Sequence, residues 1–463
     1  MAAAEDRRTT VARLMDAARR DLAEGGPARA LETYARVLAL EPDNADALSN
    51  TGVCLRRLGR HGAAVAAYHR ALATHPGAPA VWSNLGNAYR DLGRLDEAEA
   101  ALNRARDLSG GAVDTVFNLA LVLKDKGRFD DSLALLDAVL ARHPDHVGAA
   151  WDRALLLLET GDLKRGFDAY ETRWKRADAR RLSLDSPPWD GTDLGDGTLL
   201  VVREQGFGDM IQFARFAAQA RQRCGRLVVE CQPEMLRLMA TVPGVDAVAS
   251  EHEPPPPHDA HVPMLGLPRL LGTDLDSIPA QVPYLRPPRP AKPAPHSLPR
   301  DRFRVGIAWA GKPTHRNDRN RSCPPQRFLD LMEVPGAVFA CLQKGPAAAD
   351  LTGQVPAALL PDLAAACDDF ADTAAVMQNL DLVVTVDTAV AHLAGALGRP
   401  VWVLLPHVPD WRWMRGRDDS PWYPTMRLFR QDRPGDWEGV FRRARAALSQ
   451  AVSDSRARAA GAR

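Results

Sequence analysis

The feature that most constrains this chain is a 34-residue period in its first third. Four residues mark the period at one phase: Pro42, Pro76, Gly110 and Pro144. A glycine recurs with the same period at Gly25, Gly59, Gly93, Gly127 and Gly161. Glycine accepts the left-handed geometry that a helical hairpin needs at its turn. The pattern therefore predicts about five stacked helical hairpins that bury their apolar faces against one another.

Two more positions repeat in phase, a small residue and, four residues later, a large one. The small residues are Ala30, Ala64, Ala98, Ser132 and Gly166, and the large ones are Tyr34, Tyr68, Leu102, Leu136 and Tyr170. A small side chain lets two helices approach closely, and the large one fills the hole between neighbouring hairpins. Together with the segment WSNLGNAY (82–89), this pattern is that of the tetratricopeptide repeat (TPR). We expect the array to occupy residues 1–174. Such a solenoid either only supports the molecule or binds a peptide or protein on its concave face, and we favour binding.

Charge and cysteine content exclude several functions. The chain has 59 Lys+Arg and 58 Asp+Glu, a net charge of +1, without the basic surplus that general nucleic-acid binding needs. Its six cysteines contain no CxxC pair, which argues against a zinc or redox motif and fits a reducing compartment. No signal peptide is evident, and no apolar run approaches the roughly 20 residues of a membrane span. We therefore expect a cytoplasmic protein.

Beyond the array, short apolar strands alternate with helical patterns, which indicates parallel sheets covered by helices. The predicted organisation is a polar connector at 175–197, a first Rossmann-like lobe at 198–282, a proline-rich linker at 283–300, a second lobe at 301–452 that closes with a helix, and a disordered tail at 453–463. Strands are predicted at 198–203, 226–231, 246–250, 303–309, 338–343, 381–386 and 401–405. Ligands of such sheets bind at the carboxyl ends of the strands.

A first group of polar residues follows the strand at 198–203. Gly206 and Gly208 allow a tight turn, which Glu204 and Gln205 lead into, and Asp209 begins a helix. Asp209 either caps that helix or accepts a proton from an attacking hydroxyl, and Glu204 competes for the second role. The third glycine of a dinucleotide-binding fingerprint is absent, so a dinucleotide site is a weak interpretation.

A second group follows the strand at 303–309. It consists of Lys312, His315, Arg316, Arg319, Arg321 and Ser322. A run of charges is usually a solvated loop. Its place at a strand's carboxyl end favours phosphate binding, because guanidinium and ammonium groups neutralise a diphosphate.

A third group follows the strand at 381–386, where Asp387 and Thr388 begin a helix. Helix N–H groups and a hydroxyl form an anion site, Ala389 allows close approach, and His392 lies one turn further on. His392 is either structural or in contact with ligand.

No metal site is predicted, because the DLD segment (274–276) lies in a turn without a phosphate loop. The aromatic residues Trp411, Trp413, Trp422 and Tyr423 stack on a ligand or pack under a loop, and we favour packing.

These segments resemble a known family. GFGDMIQFARFA (206–217) resembles the first-lobe motif of the heptosyltransferases, glycosyltransferase family 9, and DLVVTVDTAVAHLAGALGRPV (381–401) resembles their donor motif. AWAGKPTHRNDRNRS (308–322) and CLQKGP (341–346) resemble donor-side loops of TPR proteins that carry this domain. The layout is similar to that of O-linked N-acetylglucosamine transferases.

The resemblance implies a two-lobed GT-B fold and an inverting, metal-independent transfer of a sugar from a nucleotide sugar to a hydroxyl, without a cofactor. It makes Asp209 the base. Donor-binding residues would come from Lys312, Arg316, Arg319, Arg321, Ser322, Gln343, Lys344, Asp387, Thr388, Ala389 and His392. Heptosyltransferases often have histidine and Thr-Leu-Pro where this chain has Gln212 and Phe213, so we expect a different acceptor.

Two functions follow. The first is a glycosyltransferase whose acceptor is a protein or peptide hydroxyl presented by the repeats. The alternative is a non-catalytic TPR adaptor with a degenerate transferase domain.

Overall fold

A computed structural model of the protein describes residues 2–177, 179, 182–288, 298–314, 317–351, 355–356 and 359–461. The chain divides into two compact units, Met1–Leu156 and Leu157–Arg463. The first unit, where described, consists of helices and turns, and the second contains two parallel sheets. This is the predicted fold class, a helical solenoid followed by an α/β part of GT-B type.

The first unit is a series of helical hairpins. Its helices are α1 (Ala2–Ala23), α2 (Pro27–Leu40), α3 (Ala45–Arg57), α4 (His61–Thr74), α5 (Pro79–Asp91), α6 (Leu95–Ser109), α7 (Val113–Asp125) and α8 (Phe129–Arg142), and α9 (Val147–Thr160) runs across the boundary between the units. All five turn glycines have positive φ, between 72° and 92°. The small and large repeat residues are buried as predicted.

Close helix approach explains two further glycines of the array. A Cβ on Gly52 would lie 2.4 Å from the Tyr68 ring, and one on Gly86 would lie 2.5 Å from Leu102 Cγ. In these two hairpins the large residue of the second helix therefore packs directly on the backbone of the first helix. Any side chain at these glycines would force the two helices apart.

The second unit begins with the end of the fifth hairpin, where α10 (Leu163–Tyr170) follows α9. Phe167 of α10 packs edge-on against Phe213 and Trp411, with ring centroids 6.4 and 5.9 Å apart. The array was expected to end at 174, but the compact units divide after Leu156. The physical reason is that α10 buries its aromatic face against the α/β part.

An ion pair reinforces this contact. Glu159, near the end of α9, accepts a hydrogen bond from Arg415 Nε at 2.5 Å, and the Glu159 side chain is 9% exposed.

The first lobe has a four-stranded parallel sheet of order β3-β2-β1-β4. Its elements are β1 (Thr198–Val202), α11 (Phe207–Phe213), α12 (Ala217–Arg221), β2 (Arg226–Cys231), α13 (Leu236–Met239), β3 (Ala247–Ser250), β4 (Ala260–Pro263) and α14 (Leu267–Leu270). Because β2 and β4 flank β1, the order reverses beside β1, and ligands bind at such a point in open α/β sheets. Strand β4 was not predicted, since its four residues end in proline.

The second lobe has a five-stranded parallel sheet of order β6-β5-β7-β8-β9. Its elements are β5 (Phe303–Ala308), α15 (Asp318–Arg321), α16 (Leu329–Met332), β6 (Ala337–Cys341), α17 (Phe370–Met377), β7 (Leu382–Val386), α18 (Ala389–Ala396), β8 (Val401–Leu405), β9 (Met426–Arg430) and α19 (Trp437–Gly461). Strand β9 was not predicted, because arginines interrupt its apolar residues. Short 3₁₀ helices occur at Glu171–Lys175, Ala214–Phe216, Pro233–Met235, Met264–Gly266, Pro325–Phe328, Pro346–Leu351, Ala364–Ala366 and Trp411–Trp413.

The predicted disordered tail at 453–463 is wrong as far as Gly461, because α19 continues to that residue. The helix has packing partners beyond its predicted end. Val452 is buried in the core of the second lobe, and a Cβ on Gly336 would collide with the Arg456 guanidinium.

The proline-rich linker is described only in part, since residues 289–297 lie outside the described residues. Its start packs between the lobes. The N–H groups of Tyr284 and Leu285 donate to Ala396 O at 3.1 and 3.3 Å, and the Tyr284 hydroxyl donates to Ile211 O at 2.9 Å.

Candidate functional site

The turn after β1 is built around a helix cap. Gly206 is the N-cap of α11, and its N–H donates to Asp209 Oδ2 at 2.9 Å. Asp209 also lies in the first turn of the helix, where a carboxylate stabilises the positive end of the dipole. The capping role that the sequence allows for Asp209 is therefore present.

The other carboxylate oxygen of Asp209 is held from the second lobe. Arg412 Nη2 donates to Asp209 Oδ1, and Arg412 Nη1 donates to Asp410 Oδ1 at 2.8 Å. The guanidinium rests over the Trp411 ring, 4.5 Å from its centroid, and Arg412 is only 7% exposed. Sequence reasoning considered the tryptophans of this segment but missed Arg412. The signal was a cation between two aromatic residues, shortly after the predicted strand 401–405.

Glu204, the competing base, is paired as well. Arg173 Nε donates to Glu204 Oε1 at 2.5 Å, and Arg173 Nη2 donates to Glu204 Oε2 at 3.1 Å. Burial raises the pKa of Glu204, although the Arg173 charge acts in the opposite direction. The neighbouring Gln205 donates from its side chain to the Tyr170 hydroxyl at 3.1 Å. Residues 170 and 173, at the end of the repeat pattern, thus hold the turn before Asp209.

The anion site predicted after β7 has the expected backbone form. Thr388 is the N-cap of α18 in extended conformation, and its hydroxyl lies 3.2 Å from Thr385 Oγ1. Within the described structure no side chain caps this helix. Burial and the charge of Asp410 raise the pKa of Asp387 to about 6, while Arg321 and Arg412 favour its ionised form.

His392 is a buried interlobe residue. Its Nδ1 lies 3.0 Å from the Tyr423 hydroxyl, and its ring stacks on Trp413 with centroids 5.1 Å apart. Burial lowers the pKa of His392 well below its usual range, so the ring is neutral. A Cβ on Gly208 would lie 2.9 Å from His392 Cδ2 and 3.7 Å from Ala389 Cα. The first-lobe turn and the second-lobe motif are therefore in direct contact.

Only part of the second group of residues, the basic loop at 312–322, acts on Asp387 and His392. The charge of Arg321 acts on both Asp387 and His392, and its Nε pairs with Asp318 at 3.3 Å. Ser322 Oγ accepts from Gly311 N at 3.0 Å. Lys312 and Arg319 are exposed, and His315 and Arg316 lie outside the described residues.

Gln343 and Lys344 bind backbone groups. Gln343 Oε1 accepts from the N–H groups of Trp309 and Ala310, both at 2.9 Å, and its Nε2 donates to the carbonyls of Ala310 and Lys344. Lys344 Nζ donates to the Cys367 carbonyl. Gln343 thereby ties together the chain segments that leave β5 and β6.

The aromatic cluster is buried, which confirms the packing interpretation: Trp411, Trp413, Trp422 and Tyr423 are at most 4% exposed. The Trp413 indole N–H lies beside the Asp387 carboxylate but completes no hydrogen bond within the described residues. Asp274 of the DLD segment accepts from Ser277 N at 2.9 Å, as a local turn does. Over the described ranges, no three metal-ligating side chains cluster.

A cavity of about 750 Å³ lies at the carboxyl end of β4. Its lining includes Trp174, Arg176, His261, Gly266 and Arg269. Burial lowers the pKa of His261, so the positive charge of the lining comes from Lys175, Arg176 and Arg269. The volume falls within the range of ligand pockets in proteins.

Comparisons with known proteins agree with these two parts. Tetratricopeptide repeat profiles match residues 15–79, 55–110 and 117–180, and the profile of glycosyltransferase family 9 (heptosyltransferase) matches residues 348–406. The chain joins tetratricopeptide repeats to a segment that is similar to family 9 glycosyltransferases. The family 9 match contains Asp387, Thr388, Ala389 and His392.

Among curated proteins, the chain is similar to Protein FlbA of Caulobacter vibrioides, with 28% identity over 331 residues. The match covers 64% of this chain and 54% of FlbA, so the chain spans about half the length of that relative.

Two solved repeat proteins are also similar. TTC0263, a thermophilic TPR protein of Thermus thermophilus, is 22% identical with a TM-score of 0.33, covering 36% of this chain and 91% of its own. YrrB, described as a TPR protein with an unusual peptide-binding site, is 21% identical with a TM-score of 0.29, covering 35% of this chain and 82% of its own.

In the described part of the chain, no helix has the length and apolar character needed to cross a bilayer.

Proposed function

We propose that this protein is an inverting, metal-independent glycosyltransferase that moves a sugar from a nucleotide sugar to a hydroxyl on a protein bound by its repeats. The observation that carries the proposal is the contact between the two motifs. Gly208 of the first lobe lies against His392 and Ala389 of the second, and Asp209 is paired with Arg412. An acceptor bound at the turn after β1 and a donor phosphate bound at the N-terminus of α18 would thus be neighbours.

In this proposal Asp209 accepts the proton of the attacking hydroxyl. The N-terminus of α18 and Thr388 bind the leaving diphosphate, since unpaired helix N–H groups favour anions. Arg321 supplies positive charge from the basic loop, with Lys312 and Arg319 closing over the donor. Gln343 acts indirectly in this scheme, by shaping the loops after β5 and β6.

The catalytic claim is tested with Asp209→Asn, because loss of a general base lowers the rate by about 10²–10⁴-fold. Release of nucleoside diphosphate in the presence of acceptor is the measured quantity. Asp410→Asn is the matched control, since it removes the other carboxylate paired with Arg412. If both variants lose activity equally, the loss reflects a disturbed Arg412 and Asp209 is not the base. Activity that persists in excess chelator is the result expected for a metal-independent enzyme.

A protein acceptor is supported by three amides in the array. Asn50, Asn84 and Asn118 hold one position of three successive repeats, on the first helices. Each is half-buried, and among the described residues none forms a side-chain hydrogen bond. Regularly spaced amides suit the peptide groups of an extended chain, which offers donors and acceptors at regular intervals.

The acceptor claim is tested in the full-length chain with alanine at all three asparagines. Transfer to protein should fall while hydrolysis of the donor by water stays unchanged, because remote binding positions the hydroxyl. The control carries glutamine at Arg36, Arg70 and Arg104, one exposed position per repeat on the second helices. Equal transfer by both variants would contradict a peptide site at the amides. A chain shortened to Leu182 is unsuitable, because it lacks Arg173.

The adaptor alternative is favoured by one observation: every carboxylate oxygen of Asp209 and Glu204 is already engaged. A base paired in this way needs a rearrangement before it can accept a proton. Calorimetric titration with a panel of nucleotide sugars separates the two functions. Binding that is lost in Thr388→Ala supports the enzyme, and the absence of binding to any nucleotide sugar supports the adaptor.

A further inference from the structure

Arg412 holds an unusual charge position. Its buried guanidinium is shared between two carboxylates, Asp410 on its own loop and Asp209 from the first lobe. Two carboxylates around one buried cation leave a net negative charge on side chains that stay 18% and 38% exposed, so another anion can displace one of them from the guanidinium.

The pair lies next to the predicted donor site. A Cβ on Gly208, the residue next to Asp209 in the chain, would lie 3.7 Å from the Cα of Ala389, the first residue of α18. Trp413, adjacent to Arg412, stacks on His392 of the same helix. The guanidinium of Arg412 is thus placed beside the helix terminus where an anion is favoured.

Of the described residues, Arg215, Arg321 and Arg412 act electrostatically on His392. Arg215 already donates to the Trp422 carbonyl and to the Tyr284 hydroxyl. Arg321 and Arg412 are instead paired with carboxylates, and a phosphate can take the place of a carboxylate.

We propose that Arg412 exchanges partners during the reaction: without donor it pairs with Asp209, and with donor it binds the diphosphate and releases Asp209 Oδ1 as the base. The inference rests on the proposed function. In the transfer step, the acceptor oxygen forms its bond to the anomeric carbon while the bond from that carbon to the phosphate oxygen breaks. Asp209 takes the hydroxyl proton, and the nucleoside diphosphate leaves with the electron pair while Arg412 donates to its oxygens.

Partner exchange makes Asp209 and the diphosphate competitors for one guanidinium. Removing the Asp209 charge should therefore tighten diphosphate binding, by about tenfold for one charge-assisted hydrogen bond. In this scheme Asp209 stays paired until the donor is in place, so the base becomes available only when there is a sugar to transfer.

The test is a double-mutant cycle on diphosphate affinity, measured by calorimetry with inorganic pyrophosphate, ADP, GDP, UDP and CDP. We expect Asp209→Asn to bind the best of these probes about tenfold more tightly than wild type, and Arg412→Gln to bind it about tenfold more weakly. In the Arg412→Gln background, Asp209→Asn should change the affinity less than about twofold, because the competition no longer exists. Arg412→Lys, which keeps the charge, should retain part of the affinity.

The outcomes separate the two proposals. If wild type binds none of the probes, the proposed function fails. If wild type binds a probe but Asp209→Asn does not tighten that binding, the exchange of Arg412 is refuted. It is also refuted if Asp209→Asn tightens binding equally in both backgrounds, because the removed charge then acts on the diphosphate without Arg412. Circular dichroism of each variant verifies folding, and Asp209→Asn provides the reading even where Arg412→Gln is unstable.

Discussion

Two buried glutamines should respond in opposite directions to one substitution. Gln212 is fully buried, and neither its Oε1 nor its Nε2 has a hydrogen-bond partner in the described structure. Gln343 is 5% exposed and makes four side-chain hydrogen bonds to backbone groups. Methionine matches glutamine closely in length and volume, so replacement by methionine changes the polarity and leaves the packing nearly intact.

The sign of each effect follows from hydrogen bonding. An amide buried without partners costs about 1–3 kcal/mol, so Gln212→Met should stabilise the protein by that order. Gln343→Met removes four hydrogen bonds and leaves the N–H groups of Trp309 and Ala310 buried and unpaired. Each orphaned group costs about 1–3 kcal/mol, so we expect destabilisation by about 3 kcal/mol or more.

The assay is urea unfolding followed by tryptophan fluorescence. Eight of the ten tryptophans lie in Leu157–Arg463, so the signal reports mainly on the unit that contains both glutamines. The slope with urea should stay at the wild-type value for both variants, because the exposed surface does not change. A Gln212→Met variant less stable than wild type would refute the reasoning, since the amide must then have a partner such as a buried water.

Further predictions concern packing, pH and the interface with α10. Gly208→Ala should destabilise the second unit by about 1–3 kcal/mol in the same assay, since its Cβ would overpack against His392; an unchanged midpoint would contradict the lobe contact. The raised pKa of Asp387 means that this carboxyl binds its proton more tightly in the folded state than in the unfolded state. The stability that the protonated carboxyl contributes is therefore lost as pH rises from about 4 to above about 6. Asp387→Asn should weaken this pH dependence of the free energy of unfolding. Glu159→Gln should lower the free energy of unfolding by about 1–3 kcal/mol, because it breaks the buried pair with Arg415. Arg90→Gln, which breaks a more exposed pair in the array, should lower it by less than about 1 kcal/mol. Equal losses of stability would contradict a stronger ion pair at Glu159.

Local sequence pattern predicted the elements well wherever one side-chain property controls them. The turn glycines of the array were identified because their period is fixed, and strands such as β2 and β8 because their residues are apolar and β-branched. Strands β4 and β9 lack that signal, because each is short or interrupted by polar residues. Helix α19 extends beyond its predicted end because contacts such as that of Arg456 with Gly336 are tertiary and leave no local sequence pattern.

The candidate site was predictable only in part for a related reason. The two motifs were identified separately from turn chemistry and helix-start signals, and their contact through Gly208 follows from the fold. Arg412 was missed because its partner Asp209 is 203 residues away in sequence. Gln343 lies at the end of a predicted strand and in the CLQKGP segment, but backbone groups use its hydrogen-bonding capacity, which no spacing of residue types reveals.

The repeat period itself shows how the array merges with the α/β part. In the first unit, Arg56 pairs with Asp91 at 2.5 Å and Arg90 pairs with Asp125 at 2.6 Å. Asp91 and Asp125 are 34 residues apart, and each closes the first helix of its hairpin. The pairing is therefore a stacking contact in which the acid of one hairpin meets the base of the hairpin before it.

Glu159 occupies the same phase 34 residues after Asp125, but its partner is Arg415 of the second lobe. A terminal hairpin of a solenoid must cover an apolar face that has no next hairpin. In α10 that face carries Phe167, which meets Phe213 of the first lobe and Trp411 of the second. In the last hairpin, residues at repeat positions therefore contact both lobes, close to Asp209 and Arg412 in the chain. We therefore expect a substitution on either side of this interface to act on the candidate base through packing, without touching donor or acceptor.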